Sequence, residues 1–172
     1  MPNKNIYYIE KVIKMYFNGK LRAKYNIEKK RSEQDYNPQG VRFSESSKTN
    51  YISHEIENFM SVKTESEQRT SFLKLLIDEI EVALNTLIVK NVLEDGTVEF
   101  CKDDYNLLKW SYQRIPNYSD AEVAAKFNIA RSTVSYRRNK LFVYLYDLIN
   151  IDFYINNPIK DIASFFDDLI DG

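Results

Sequence analysis

The run "RSTVSYRRNK", Arg131 to Lys140, interleaves cations and hydrogen-bonding side chains around a single aliphatic residue, Val134. Successive residues of a helix turn by about 100°. With Val134 and Leu141 inward, the opposite face carries Ser132, Ser135, Tyr136 and Asn139, with Arg131 at its N-terminal edge. Side chains of this kind read the edges of base pairs. An arginine pairs with guanine N7 and O6, an asparagine with adenine N6 and N7, and each good pair discriminates by about 1–3 kcal/mol. Ser132, Thr133 and Lys126, with the N–H groups of a helix start, suit phosphate oxygens. Arg138 and Lys140 flank the face, and Ser119, opening the preceding helix, completes the candidate DNA-binding set. The bland alternative is a solvated face. Such a face usually carries glutamate as well, and residues 131–146 contain no acid. Arg137 is awkward: it falls about 60° from Val134 around the helix, where an apolar residue is usual. Its stem is expected along the core edge, with the guanidinium reaching solvent or phosphate.

A reading helix must be held at a steep angle to a partner by a tight joint. The preceding residues meet that demand. Ala124 is small where the two helices approach, and Val123, Phe127, Ile129 and Val134 are apolar where they share a core. Asn128 stands at the turn, where glycine is commonest and asparagine is next best at positive φ. Ser119 with Glu122 three residues on spells a capping box for a helix that runs to about Phe127. The second helix is expected from Arg131 to Leu148.

The elements that must position this pair also show in the pattern. Ile6, Ile9, Ile13 and Phe17 form one apolar stripe and predict a helix from about Asn3 to Asn18, interrupted at Gly19. The basic segment "KLRAKYNIEKKR" follows. Residues 32–50, with Pro38 and Gly40 among polar residues, read as a long loop. So long a loop is uncommon inside a compact domain, which makes the N-terminal helix a candidate arm. A short helix is expected over 51–60 and a strong one from Glu65 to Asn91. Leu76, Ile80, Ala83 and Leu87 line the latter, widened by Phe72, Leu73, Ile77, Leu84 and Ile88. A stripe that broad marks the central core helix, or a helix that also forms a homodimer seam. "EDGT" at 94–97 breaks the pattern and is expected to be a linker rather than a hairpin turn, its flanks being short, and a helix from Asp103 to Ile115 precedes Pro116. The tail takes Asn157 as N-cap and Pro158 as first helical residue, with Ile159, Ile162, Phe166 and Leu169 on one face.

Composition bounds the remaining possibilities. Four Gly and four Pro are too few for a turn-rich β fold, so the class is all-α, a helical bundle. Its regions are 1–50, a basic N-terminal helix or arm and loop; 51–93, the central long helix; 101–148, the helix-turn-helix; and 149–172, an acidic C-terminal helix. The net charge of −1 conceals strong asymmetry. Residues 1–50 hold 11 Lys/Arg against 5 Asp/Glu, and residues 101–150 hold 8 against 5. A nucleic-acid binder needs a basic face rather than a basic total. With only Cys101 and His54, no zinc cluster or Cys–His nucleophile is expected. Asp103–Asp104 and Asp167–Asp168 are adjacent, so helix geometry diverges each pair, and they read as helix-start charges or solvated residues. No phosphate-binding glycine loop is present. The chain is therefore expected to be no enzyme, to need no cofactor or metal, and to be cytoplasmic without a membrane partner.

"AEVAAKFNIARSTVSYRRNKLFVYL", with "DDYNLLKWSYQRIPNYS" before it, resembles the fourth region of bacterial sigma factors; the parallel positions are Val123, Phe127, Ile129, Arg131, Val134 and Leu145. More of the chain is similar to phage late transcription regulators of the RinA/ArpU type. The matching pieces are the N-terminal helix, "SSKTNYISHEIENF" at 46–59, "FLKLLIDEIEVALNTL" at 72–87 and the terminal motif. That resemblance implies an activator of phage packaging, morphogenesis or lysis genes in the host cytoplasm, with double-stranded DNA and host RNA polymerase as partners. Residues 150–172 and Arg137 depart from the pattern. Two other classes compete. One is a small-terminase-like packaging factor, an oligomeric ring carrying the same motif. The other is a protein-interaction module whose acidic tail offers Phe165 and Phe166 to polymerase or to a protein antagonist, although docking of the tail on its own body is the simpler expectation.

Overall fold

The computed structural model describes residues 4–35, 49–88, 102–156 and 160–171, with side chains over 5–34, 65–88, 103–156 and 164–171. All regular structure among them is helical, and the helices pack as a bundle. In chain order they are α1 (Lys4–Phe17), α2 (Lys20–Asp35), α3 (Thr49–Ile88), α4 (Lys102–Tyr112), α5 (Asp120–Phe127), α6 (Arg131–Leu148), α7 (Ile151–Ile155) and α8 (Lys160–Asp171).

The N-terminal region is no arm. Ile9, Val12 and Ile13 of α1 are fully buried, with Ile6 and Phe17 packed against the same core. Gly19, at φ +81°, turns the chain where a side chain would be strained, and the Asn18 carboxamide accepts the Lys20 N–H at 3.0 Å. The basic segment then forms α2, antiparallel to α3. Arg22 pairs with Glu81 at one end, and the Ser66 hydroxyl donates to the Glu28 carbonyl at the other, 3.3 Å away. The α2 helix is polar almost all round, so packing against α3 rather than its own stripe sustains it. Residues 32–35, expected to begin a loop, continue the helix. Ser32 bonds back to the Lys29 carbonyl at 2.8 Å, and Lys29 lies 3.9 Å from Glu33. Residues 36–48 fall outside the described residues, and Thr49 and Asn50, also expected in the loop, open α3.

The two helices expected over 51–60 and 65–91 are one helix of 40 residues, α3, over the described residues; 89–91 lie outside them. Between them stands "SVKT", which contains no glycine or proline, and the modest propensity deficit of Ser, Val and Thr does not stop a helix. The stripe is buried as a core face from Phe72 to Leu87; Ile88 alone of the expected set is exposed. Helix α4 ends at Tyr112, three residues short of the expected end at Ile115, which precedes Pro116 and is itself disfavoured in the helical region. "EDGT", Asn157 and Pro158 lie outside the described residues.

The tail docks on its own body. Phe165, Phe166, Leu169 and Ile170 of α8 are buried in the main core, which removes the two phenylalanines as an outward surface for a partner. Phe166 stacks on Tyr8 at 5.9 Å and meets Phe72 edge-on at 5.9 Å. Chain reversal into this position uses α7, which no periodicity announces. Its Ile151 and Tyr154 are buried, with Tyr154 edge-on to Phe72 at 5.0 Å.

Two cores result. The larger gathers α1, α3, α4, α6, α7 and α8, with Leu21 of α2. The smaller comprises Leu107, Val123, Ala124 and Val134, with Trp110, Tyr118, Phe127 and Ile129 packed against it. Helices α4 and α6 enter both: Leu107 and Val134 lie in the small core, Leu108, Tyr112, Leu141, Phe142 and Leu145 in the large one.

Candidate nucleic-acid interface

The start of α5 is fixed by a closed set of hydrogen bonds. Ser119 adopts an extended conformation, and its hydroxyl accepts the Glu122 N–H at 3.3 Å. The Glu122 carboxylate accepts the Ser119 N–H at 2.7 Å and the Ser119 hydroxyl at 2.8 Å. These bonds, the backbone N–H of Ser119 first, hold the Glu122 carboxyl below its ordinary range, with the Arg114 charge assisting. Arg114 donates to Glu122 at 3.1 Å while its guanidinium lies 3.7 Å from the Tyr118 ring centroid. Tyr118 in turn stacks on Trp110 at 3.8 Å. The segment between α4 and α5 is thus clamped by an indole, a phenol and a guanidinium in succession, a role that sequence reading missed. The signal available was the density of aromatics and Arg in "WSYQRIPNYS".

Asn128 supplies the turn. It has φ 52° and ψ 46°, the left-handed region that a non-glycine residue rarely adopts, with Asn among the most tolerant. Its N–H bonds back to α5, and the Ile129 N–H reaches the Ala124 carbonyl at 3.1 Å. Val123 and Ala124 of α5 then pack on Val134 of α6, as their sizes predict. Ala130 caps α6 with backbone alone; no side chain covers its first turn, leaving the first N–H groups without an intrahelical acceptor.

On α6 the side chains divide by direction. Arg131, Ser132, Asn139 and Lys140 are exposed, as is Tyr136 at 68%. Thr133 and Ser135 are half-buried beside them, and Lys126 is exposed on α5. These seven residues of α6 and Lys126 of α5 belong to the two helices that the turn joins. Arg138 stands apart. Its Nη2 lies 2.7 Å from Asp120 Oδ1, and its guanidinium is 5.9 Å from the Tyr112 centroid, so it links α6 to the first turn of α5. Ser119 likewise gives its hydroxyl to the cap. Arg137 keeps part of its side chain in solvent, but its guanidinium is engaged by Asp104, at 2.9 Å. Asp104 is only 4% exposed, so it is a buried partner rather than a solvated helix-start charge.

One further basic feature adjoins this unit. A cleft of about 390 Å³ is lined by Lys11, Lys14 and Lys20, by residues 115–117 and by Asp171 of α8. Sequence reading assigned these lysines no site; their signal was the excess positive charge of residues 1–50. Among the described residues no group of His, Cys, Asp and Glu could hold a metal ion, and no helix is long and apolar enough to cross a membrane. Compared with known protein families, with curated proteins and with solved structures, the chain finds no match.

Proposed function

We propose that this protein is a sequence-specific transcription regulator that binds double-stranded DNA, with α5 and α6 as a sigma-region-4-like helix-turn-helix and α6 as the reading helix. One observation carries the reading. Helix α6 is anchored by apolar residues in both cores while Arg131, Ser132, Tyr136 and Asn139 stand exposed along its N-terminal half. A rigidly held helix presenting hydrogen-bonding groups without a competing acid is what major-groove recognition requires. The resemblance to RinA/ArpU-type regulators supplies the setting: an activator of phage late genes acting with host RNA polymerase in the host cytoplasm. The test is capture of fragmented host and phage DNA by the purified full chain in dilute buffer. Enrichment of fragments beside packaging, morphogenesis or lysis genes is the expected result, and retention of no duplex at all overturns the reading.

A second reading, a small-terminase-like packaging factor, is favoured by one feature. Leu75 and Val82 are 45% and 66% exposed at a seven-residue spacing on α3, a candidate seam between copies. Size in solution separates the two. A closed ring of about eight or more subunits replaces the regulator, whereas a monomer or dimer retains it.

A further inference from the structure

The geometry points to a second DNA-contact surface outside α6: Lys11 and Lys20, with Lys14 between them, bind the sugar–phosphate backbone beyond the segment that α6 reads. The inference rests on the reading of α5 and α6 given above and extends the footprint to the elbow between α1 and α2.

Placement is the first argument. The three lysines share a cleft with residues 115–117, which run directly into Ser119 and the start of α5. When a helix-turn-helix docks, its first helix crosses the phosphate backbone. Phosphates flanking the groove occupied by α6 therefore pass the start of α5, and the elbow borders the segment that leads into it.

Charge is the second. The two acids in the first turn of α5 are neutralised by internal partners: Asp120 by Arg138 and Glu122 by Arg114. They leave no net repulsion between the start of α5 and a polyanion. In the cleft, three lysines face a single acid, Asp171. Lys14 pairs with Glu10 at 2.6 Å, but neither Lys11 nor Lys20 forms an ion pair with a described residue. Lys11 rests its ammonium 5.4 Å from the Tyr7 centroid, and Lys20 is exposed.

Rigidity is the third. Helix α1 packs directly on α6. The ammonium of Lys14 and the guanidinium of Arg138 lie 5.3 and 5.9 Å from the centroid of the same buried ring, Tyr112. The elbow is thus held at a fixed distance from the reading helix, and its cations engage the backbone without the cost of ordering a loose arm.

The experiment uses the full chain and labelled random-sequence duplexes of two lengths, since phosphate contacts carry no sequence information. The short duplex has about one helical turn, roughly 10 base pairs, and the long one about four turns. Each phosphate contact contributes about 0.9 to the slope of log K against log salt. The Lys11→Ala/Lys20→Ala variant is expected to bind the long duplex more weakly, with a slope flatter by about 1.8, and to match wild type on the short one. Asp171→Asn, which removes the acid of the cleft, is expected to tighten binding to the long duplex only. Wild-type slopes for the double variant on the long duplex, together with no gain from Asp171→Asn, overturn the second surface and leave the α5–α6 unit as the only contact. Failure of wild type to bind either duplex sinks the reading of α6 and this inference with it.

Discussion

Arg137, in the middle of α6, holds Asp104, in the first turn of α4, with Nη2 2.9 Å from Oδ1. The carboxylate side chain is 6% exposed and the guanidinium side chain 34%. An arginine three residues from Val134 is therefore a clip between the two helices that enter both cores. Removing the guanidinium beside a buried carboxylate costs about 1–3 kcal/mol. Arg137→Ala is expected to lower the urea midpoint accordingly. A double-mutant cycle with Asp104→Ala should give a coupling of about 0.5–3 kcal/mol, as contacting residues do. Strict additivity of the two substitutions would show that the pair contributes nothing.

Asn128 carries the turn between α5 and α6 at φ 52°. A left-handed conformation costs an ordinary L-residue about 1–2 kcal/mol, a penalty that asparagine reduces and glycine escapes. Asn128→Val should therefore destabilise the fold by roughly that amount, whereas Asn128→Gly should stay close to wild type. Denaturation of the two variants side by side provides the check; equal loss in both would mean that the Asn side chain, not the backbone, matters there.

Phe166 is fully buried among Tyr8, Phe72 and Tyr154. Truncating a buried phenylalanine costs about 3–5 kcal/mol through lost transfer energy and the cavity left behind. Phe166→Ala should lower thermal stability by that amount, and deletion of residues 157–172 should yield insoluble protein by uncovering the same core. A truncated chain that stays folded and soluble would contradict the docking of α8 as a structural element.

Glu122 links the cap of α5 to pH. Its folded carboxyl is held below the ordinary value, first by the Ser119 N–H and then by the Ser119 hydroxyl and Arg114. A depressed carboxylate pKa contributes stability that is present above the unfolded value of about 4.3 and is lost as pH falls through the folded value. Wild type should thus lose more stability on acidification below that point than Glu122→Gln does. Parallel acid titration of the two proteins decides it, and identical curves would deny the carboxylate its role.

What was legible in the chain was what local physics dictates. The capping box at Ser119 and Glu122, the positive φ at Asn128, the inward Val134 and Leu141, and the buried face of Phe166 and Leu169 all follow from spacing along one helix or one turn. The continuity of α3 was misread because a polar stretch looks like a break, although nothing in "SVKT" forbids a helix. Long-range pairs were invisible for a different reason. Arg137 with Asp104, and Arg138 with Asp120, depend on how α6 crosses α4 and α5, and no local pattern encodes that crossing. One of two adjacent arginines assigned to the DNA-contacting flank consequently turns out to link helices, and the other, left undecided, does the same.

The exposed face of α6 makes separable predictions because its residues differ in what they can touch. Arg131 is exposed at the first helical position, where it can fork onto a guanine edge. Ser135, one turn on, is half-buried and has reach for a single hydrogen bond at close approach. Lys140 lies exposed near the middle of the helix, and the proposed reading assigns it to phosphate. On a captured cognate site, Arg131→Ala should weaken binding by about 1–3 kcal/mol and relax preference at one base pair, with Ser135→Ala acting in the same direction but less. Neither should alter the affinity for random sequence much. Lys140→Ala should weaken cognate and random duplexes alike and flatten the salt slope by about 0.9. Titrations of the three variants on both duplexes at several salt concentrations resolve the two kinds of contact. If all three bind the cognate duplex as wild type does, α6 does not read DNA with this face.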